Sequence, residues 1–217
     1  MNAFLNDARE FLPLILQGAW VTVQVTAGSL LLSTLLGLGL ALMRISPYAF
    51  LRVPAMTLIT CLRGIPIIVQ LFYIYFVLPD IGIQLSAMQA AIIGLGVGYS
   101  AYHAENIRAG LLAVDPGQRE AAQSLAMGRY LIMRRIILPQ AVRIVLPPYG
   151  NIMIMMLKDS SLASVITVAE ITRAGQLIAA STFKNMTVFT IVALVYLAMS
   201  LPLTAMSAAL ERRFKAK

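Results

Sequence analysis

Arg63, Lys158 and Asp159 stand within or beside long apolar runs, and Gln70, Ser160 and Ser161 lie close to them in sequence. An ionisable side chain in hydrocarbon is costly, so each one marks a polar path by default. Arginine presents a planar fork of donors that matches a carboxylate. Aspartate offers acceptors to a cation. Arg63 follows Arg52 by eleven residues, about 16 Å along a helix, which sets it well inside its run. Lys158 and Asp159 stand about 22–24 Å beyond Arg143 on the same measure. A purely structural alternative has Arg63 and Asp159 paired with each other, or with Glu105 and Lys158, to hold helices together. Glu105 precedes Arg108 by three residues and reads as its partner on one helix face.

The chemistry of catalysis is missing. No G-x-x-x-x-G-K-[ST] string is present to cradle a nucleotide, and no Ser/His/Asp or metal-ligand constellation occurs. His103 is the one histidine and reads as a packing residue. Cys61 is the one cysteine, which excludes an intrachain disulfide and suggests a small core residue. Met153, Met155 and Met156 read as packing or flexible lining. No catalytic residue, metal or resident cofactor is expected.

The elements that must position these groups are apolar helices. The 217 residues are 59% hydrophobic and 12% charged, against about 25% charged residues in soluble domains. That surplus of apolar surface must face lipid. Five segments are long enough to span: about 18–43, 54–78, 86–107, 144–157 (extendable toward Ile136 through Pro139) and 186–210. Gly28, Gly37, Gly39, Gly94, Gly96 and Gly98 are expected to let helices approach closely. The first seventeen residues hold Asp7, Arg9 and Glu10, which does not fit a signal peptide.

Orientation follows from the basic residues. With the N-terminus outside and the C-terminus inside, the cytoplasmic segments collect Arg44, Arg52, Arg108, Arg119, Arg129, Arg134, Arg135, Arg143, Arg212, Arg213, Lys215 and Lys217. Those are twelve of the seventeen basic residues, beside only three of the nine acidic ones. The net charge of +8 is therefore a topology signal, and nucleic acid is not an expected partner.

Between the third and fourth segments lies a polar stretch with helix signals. Asp115 suits an N-cap, Pro116 the first helical position and Gln118 the third, as in a capping box. Gly128 suits the stop, which bounds a helix of about 116–128. Ala121, Ala122 and Leu125 share a small-residue face. Such a helix either docks another protein, or lies on the membrane surface or covers the end of the bundle.

Glu120-Ala121-Ala122, then Gly128, then Ile136-Ile137-Leu138-Pro139 resemble the EAA loop of ABC importer permeases. The interval Gln123–Met127 is longer here than the usual pattern. Three further strings are similar to the polar amino-acid uptake subfamily: the run from Leu62 to Leu71, with Arg63-Gly64 and Gln70; Ala104 to Gly110; and Leu157 to Leu162, with Lys158-Asp159-Ser160-Ser161. Ile65, Ala109 and Ser160 stand where that subfamily commonly has other residues.

The resemblance implies an all-α integral membrane fold of the type I ABC importer permease kind. It implies one domain over 1–217, with a core of about 16–211, in a bacterial inner membrane. The partners it implies are two ABC ATPase subunits, which carry ATP and Mg, an extracytoplasmic solute-binding protein, and a second permease. Glu120, Ala121, Ala122, Leu125 and Gly128 would couple to the ATPase. The substrate would be a polar amino acid, its carboxylate on Arg63 and its ammonium on Asp159, with Gln70, Ser160 and Ser161 alongside. Competing readings are a type I importer for another small solute, or an ATP-independent channel or scaffold subunit.

Overall fold

The computed structural model describes residues 2–215, so Lys217 of the basic set lies outside the described residues. Nine α-helices occur among them, joined by short π and 3-10 turns. α1 runs Asn2–Arg44 and α9 runs Asn185–Lys215. Each alone is long and apolar enough to cross a bilayer. α1 begins far upstream of the expected segment. Its first part is held by Phe11 and Ile15, which are buried against α8 (Ile171–Thr182) and α9.

The expected second segment is not one straight helix. α2 (Ala49–Gly64) and α3 (Ile67–Phe72, continued by turns to Ile81) meet at 102°. The cause is local: Pro66 has no amide hydrogen and forces Ile65 out of the helical region, and Ile65 is extended with φ −99° and ψ 127°. α2 has 16 residues, about 24 Å, short of the roughly 30 Å hydrocarbon core.

α4 (Ala87–Leu112) is the centre of the bundle. It starts with a reciprocal capping box between Ser86 and Gln89. Tyr99, Ser100, His103 and Ala104 are all buried on it. Because most of its faces meet protein, it carries more polar residues than a lipid-facing helix tolerates. α1 lies along it, with Gly37 at the crossing: a Cβ there would come within 2.6 Å of His103 Cβ and 2.9 Å of the Ser100 carbonyl oxygen. Gly39, by contrast, has open space around it, so the expectation of close approach fails at that position.

α7 (Leu138–Asp159) keeps all three prolines. Pro139 falls in its first turn, where no amide hydrogen is needed, and a π-turn over Met133–Ile137 precedes it. Gln140 Nε2 donates to the Ile136 carbonyl at 2.9 Å, and Asn106 Nδ2 donates to the Val145 carbonyl at 3.1 Å. A 3-10 segment, Ser160–Ile166, and a 49° bend lead into α8. Cys61 is exposed on α2 rather than in a core.

Candidate functional site

Two regions collect the residues that the sequence singles out. The first lies in the bundle. Arg63, in the last turn of α2, holds its guanidinium 5.6 Å from the Tyr102 ring centroid, within range of a cation–π contact. The Tyr102 and Tyr99 rings lie tilted against each other with centroids 5.6 Å apart, one turn apart on α4. The Tyr99 hydroxyl donates to Asp159 Oδ2 at 2.7 Å. A cation, two aromatic rings and a carboxylate thus follow one another across the buried helix. Among the described residues Arg63 and Asp159 do not pair with each other, nor with Glu105 or Lys158. Glu105 instead ion-pairs with Arg44 and accepts from Arg108 at 2.9 and 3.2 Å.

Gln70 and Ser160 have local duties. Gln70 Nε2 donates to the Leu62 and Ile65 carbonyls, each at 2.9 Å, and so braces the α2–α3 break. Ser160 is buried and donates to the Leu157 carbonyl at 2.7 Å. Ser161 is half-buried beside it. His103 packs on Tyr149 with ring centroids 4.8 Å apart. No group of three or more metal-ligating side chains occurs among the described residues.

Sequence reasoning missed Glu170. It is fully buried, caps α8, and accepts from the amides of Thr172 and Arg173 at 2.8 Å each and from the Tyr196 hydroxyl at 2.6 Å. A carboxylate here satisfies the otherwise orphaned amides of a helix start inside the bundle. The available signal was an acidic residue flanked by apolar ones; the Thr172 and Arg173 amides are local partners, and only the Tyr196 hydroxyl came from distant sequence. Tyr99 and Tyr102 were also missed, because aromatic residues in an apolar helix carry no distinctive pattern.

The second region is the exposed helix α5 (Pro116–Ser124). Asp115 Oδ1 accepts from Gly117 N at 2.7 Å, so the cap is present, but Gln118 does not close the box. The helix ends earlier than expected. Ala126, at φ 55°, takes the left-handed stop position. Its amide bonds to the Gln123 carbonyl and that of Met127 to the Ala122 carbonyl, the two bonds of a Schellman motif. Gly128 is extended and begins α6 (Arg129–Ile132) instead. The small-residue face also divides. Ala122 is 2% exposed, packed within its own chain, whereas Leu125 is 77% exposed and Glu120 and Ala121 face outward.

Residues 33–216 match the family described as the binding-protein-dependent transport system inner membrane component. The chain belongs to that family. It is a multi-pass protein of the bacterial inner membrane and a subunit of a transport system. It is 40% identical over 207 residues to the probable amino-acid ABC transporter permease protein YckA of Bacillus subtilis, covering 95% of this chain and 92% of that one. It is 37% identical to the glutamine transport system permease protein GlnP of Escherichia coli, covering 94% of each chain. The fold superposes on a chain from the crystal structure of an amino acid ABC transporter with histidines, with a TM-score of 0.91, 38% identity, and coverage of 97% and 98%.

Proposed function

We propose that this family member is one membrane half of an ATP-driven importer for a polar amino acid. The observation that carries the reading is the line Arg63–Tyr102–Tyr99–Asp159. It offers a donor fork for a carboxylate and an acceptor for an ammonium, separated by aromatic faces. Free amino acids carry both groups. The names of the similar permeases and the structure with histidines support the same substrate class.

In this reading the chain crosses the membrane five times with its N-terminus outside. α1, the broken α2–α3 pair, α4, α7 and α9 make the crossings, and α8 returns on the outer side. The exposed faces of Glu120, Ala121 and Leu125 dock on an ATPase subunit, and Gly128 keeps the neighbouring surface low. A second permease completes the pathway, two ATPase subunits hold ATP and Mg, and an extracytoplasmic binding protein delivers the solute. The chain itself has no catalytic site and no cofactor. ATP closes the ATPase pair, and the permeases rock as packed bodies between two states, the state that nucleotide binds better being favoured.

The test is ATPase stimulation by a panel of amino acids in proteoliposomes holding the assembled transporter and its binding protein. A polar amino acid should stimulate hydrolysis in the intact protein. Arg63→Ala and Asp159→Ala should abolish stimulation while leaving assembly and nucleotide-only hydrolysis unchanged. Stimulation by a solute lacking either the carboxylate or the ammonium, or retention of full stimulation by both variants, overturns the substrate assignment.

A further inference from the structure

The clefts beside α1, against α4 and α7 and against α9, are lined by apolar side chains, as surfaces against lipid are. The cleft between α7 and α9 differs. It holds about 360 Å³, and Arg143, Asn151 and Glu211 are among its lining residues. That volume lies at the small end of the range for small-molecule sites. Along α7 the cleft extends about 12 Å, from Arg143 to Asn151. At its inner end the two helices touch. A Cβ on Gly150 would come within 2.6 Å of Ser207 Oγ, and that hydroxyl donates to Asn151 Oδ1 at 3.4 Å.

Three kinds of polar group border this space. The first is a cation: the Arg143 guanidinium has no hydrogen-bond or ion-pair partner among the described residues. The second is a carboxylate, Glu211, which lines the cleft from α9 one turn beyond Ser207. The third is backbone. Pro147 and Pro148 have no amide hydrogen, so the carbonyls of Arg143 and Ile144 lose their helical donors. Both prolines and both of those residues line the cleft. Carbonyls freed in this way are tolerated where they border a wet cavity, and they suit a cation. A simple cation placed here would meet the Arg143 guanidinium, and a simple anion would meet the Glu211 carboxylate. A molecule that carries both charges is matched by both walls.

We propose that this cleft is a second amino-acid site, open to the cytoplasm. Arg143 takes the carboxylate, and Glu211 with the freed carbonyls takes the ammonium. Recognition uses only the groups that every free amino acid carries. A ligand bridging α7 and α9 stabilises the state in which the cleft is open, so amino acid accumulated on the cytoplasmic side slows the transport cycle. The inference rests on the importer reading for its orientation and substrate class, yet it uses none of Arg63, Tyr102, Tyr99 or Asp159.

The test uses proteoliposomes holding the assembled transporter with its ATPase subunits facing the bath. The binding protein and a stimulating amino acid are sealed inside, and nucleotide-only hydrolysis is followed in parallel vesicles without them. L-glutamine added to the bath should lower both rates saturably. 4-Aminobutanamide, which lacks the carboxylate, and glutaramic acid, which lacks the ammonium, should lower neither. Arg143→Gln and Glu211→Gln should each raise the half-inhibiting concentration of glutamine about tenfold or more, as loss of a charge-assisted contact requires. Arg143→Lys should raise it less. The analogue series on the intact chain decides the matter even where a variant fails to assemble. Stimulation without inhibition from the bath overturns the site and leaves the importer reading standing; it is the result expected if a second copy of the chain fills the cleft. Inhibition from the bath without stimulation from inside does the reverse. Inhibition by either one-charge analogue as strong as that by glutamine, or an unshifted glutamine response in both charge-removing variants, also overturns the site.

Discussion

Gly37 and Gly39 stand two residues apart in α1, and a methyl group added at each has opposite consequences. At Gly37 the new Cβ would lie 2.6 Å from His103 Cβ, 2.9 Å from the Ser100 carbonyl oxygen and 3.1 Å from Ala104 N. Two of those atoms are α4 backbone, so relief requires the helices to separate. At Gly39 nothing lies within 4 Å. Both substitutions gain about 0.5–1 kcal/mol of helix preference, and that gain cancels when the variants are compared with each other. What remains is the overpacking at position 37, about 1–3 kcal/mol. For a chain of this length each kcal/mol moves the midpoint by about 2–4 °C, so Gly37→Ala should melt about 4–8 °C below Gly39→Ala at the middle of that range. The assay is thermal unfolding of both variants in one detergent, followed by circular dichroism. Equal midpoints, or a lower midpoint for Gly39→Ala, would refute the α1–α4 packing described above.

Ala126→Gly relieves a left-handed backbone position that costs an alanine about 1 kcal/mol; slower amide exchange across α5 is the expected readout. Glu170→Ala strands the Thr172 and Arg173 amides and the Tyr196 hydroxyl, at about 1–3 kcal/mol for a buried group left unpaired. Tyr196→Phe removes only one of these bonds, so its thermal midpoint should fall less than that of Glu170→Ala. Glu120→Lys changes an outward-facing side chain and should shift stability by no more than about 0.5 kcal/mol. The same variant should abolish amino-acid-stimulated ATP hydrolysis in proteoliposomes; full stimulation would count against docking through α5.

Particular residues show what was legible in sequence. Asp115 and Pro116 announced the start of α5, because capping is local and depends on neighbours within one turn. Its end was misread: Gly128 had the right type, but the left-handed position fell to Ala126, where the Ala122–Met127 contact fixes the stop. Pro66 lies inside the segment 54–78 read as a single span, and the 102° turn there is braced by Gln70 folding back on the Leu62 and Ile65 carbonyls. Gly37 and Gly39 are indistinguishable as letters; only the position of α4 separates them. Ser86 and Gln89 form a box that was readable from spacing and was overlooked.

Hydrophobic excess and the clustering of arginine determine, without any coordinates, that this chain lives in a bilayer and which end bears the positive charge. Both are properties summed over many residues, so no single contact can alter them. The EAA-like string carries family membership in the same way. The partners of Arg63 and Asp159, and the Tyr196 partner of Glu170, were decided only in three dimensions. Each ionic group settled on the nearest aromatic ring, hydroxyl or amide that helix packing brought to it, and those neighbours lie 26 to 60 residues away for Glu170 with Tyr196 and for Asp159 with Tyr99. Burying a charge demands a partner, but sequence spacing cannot say which helix will supply it.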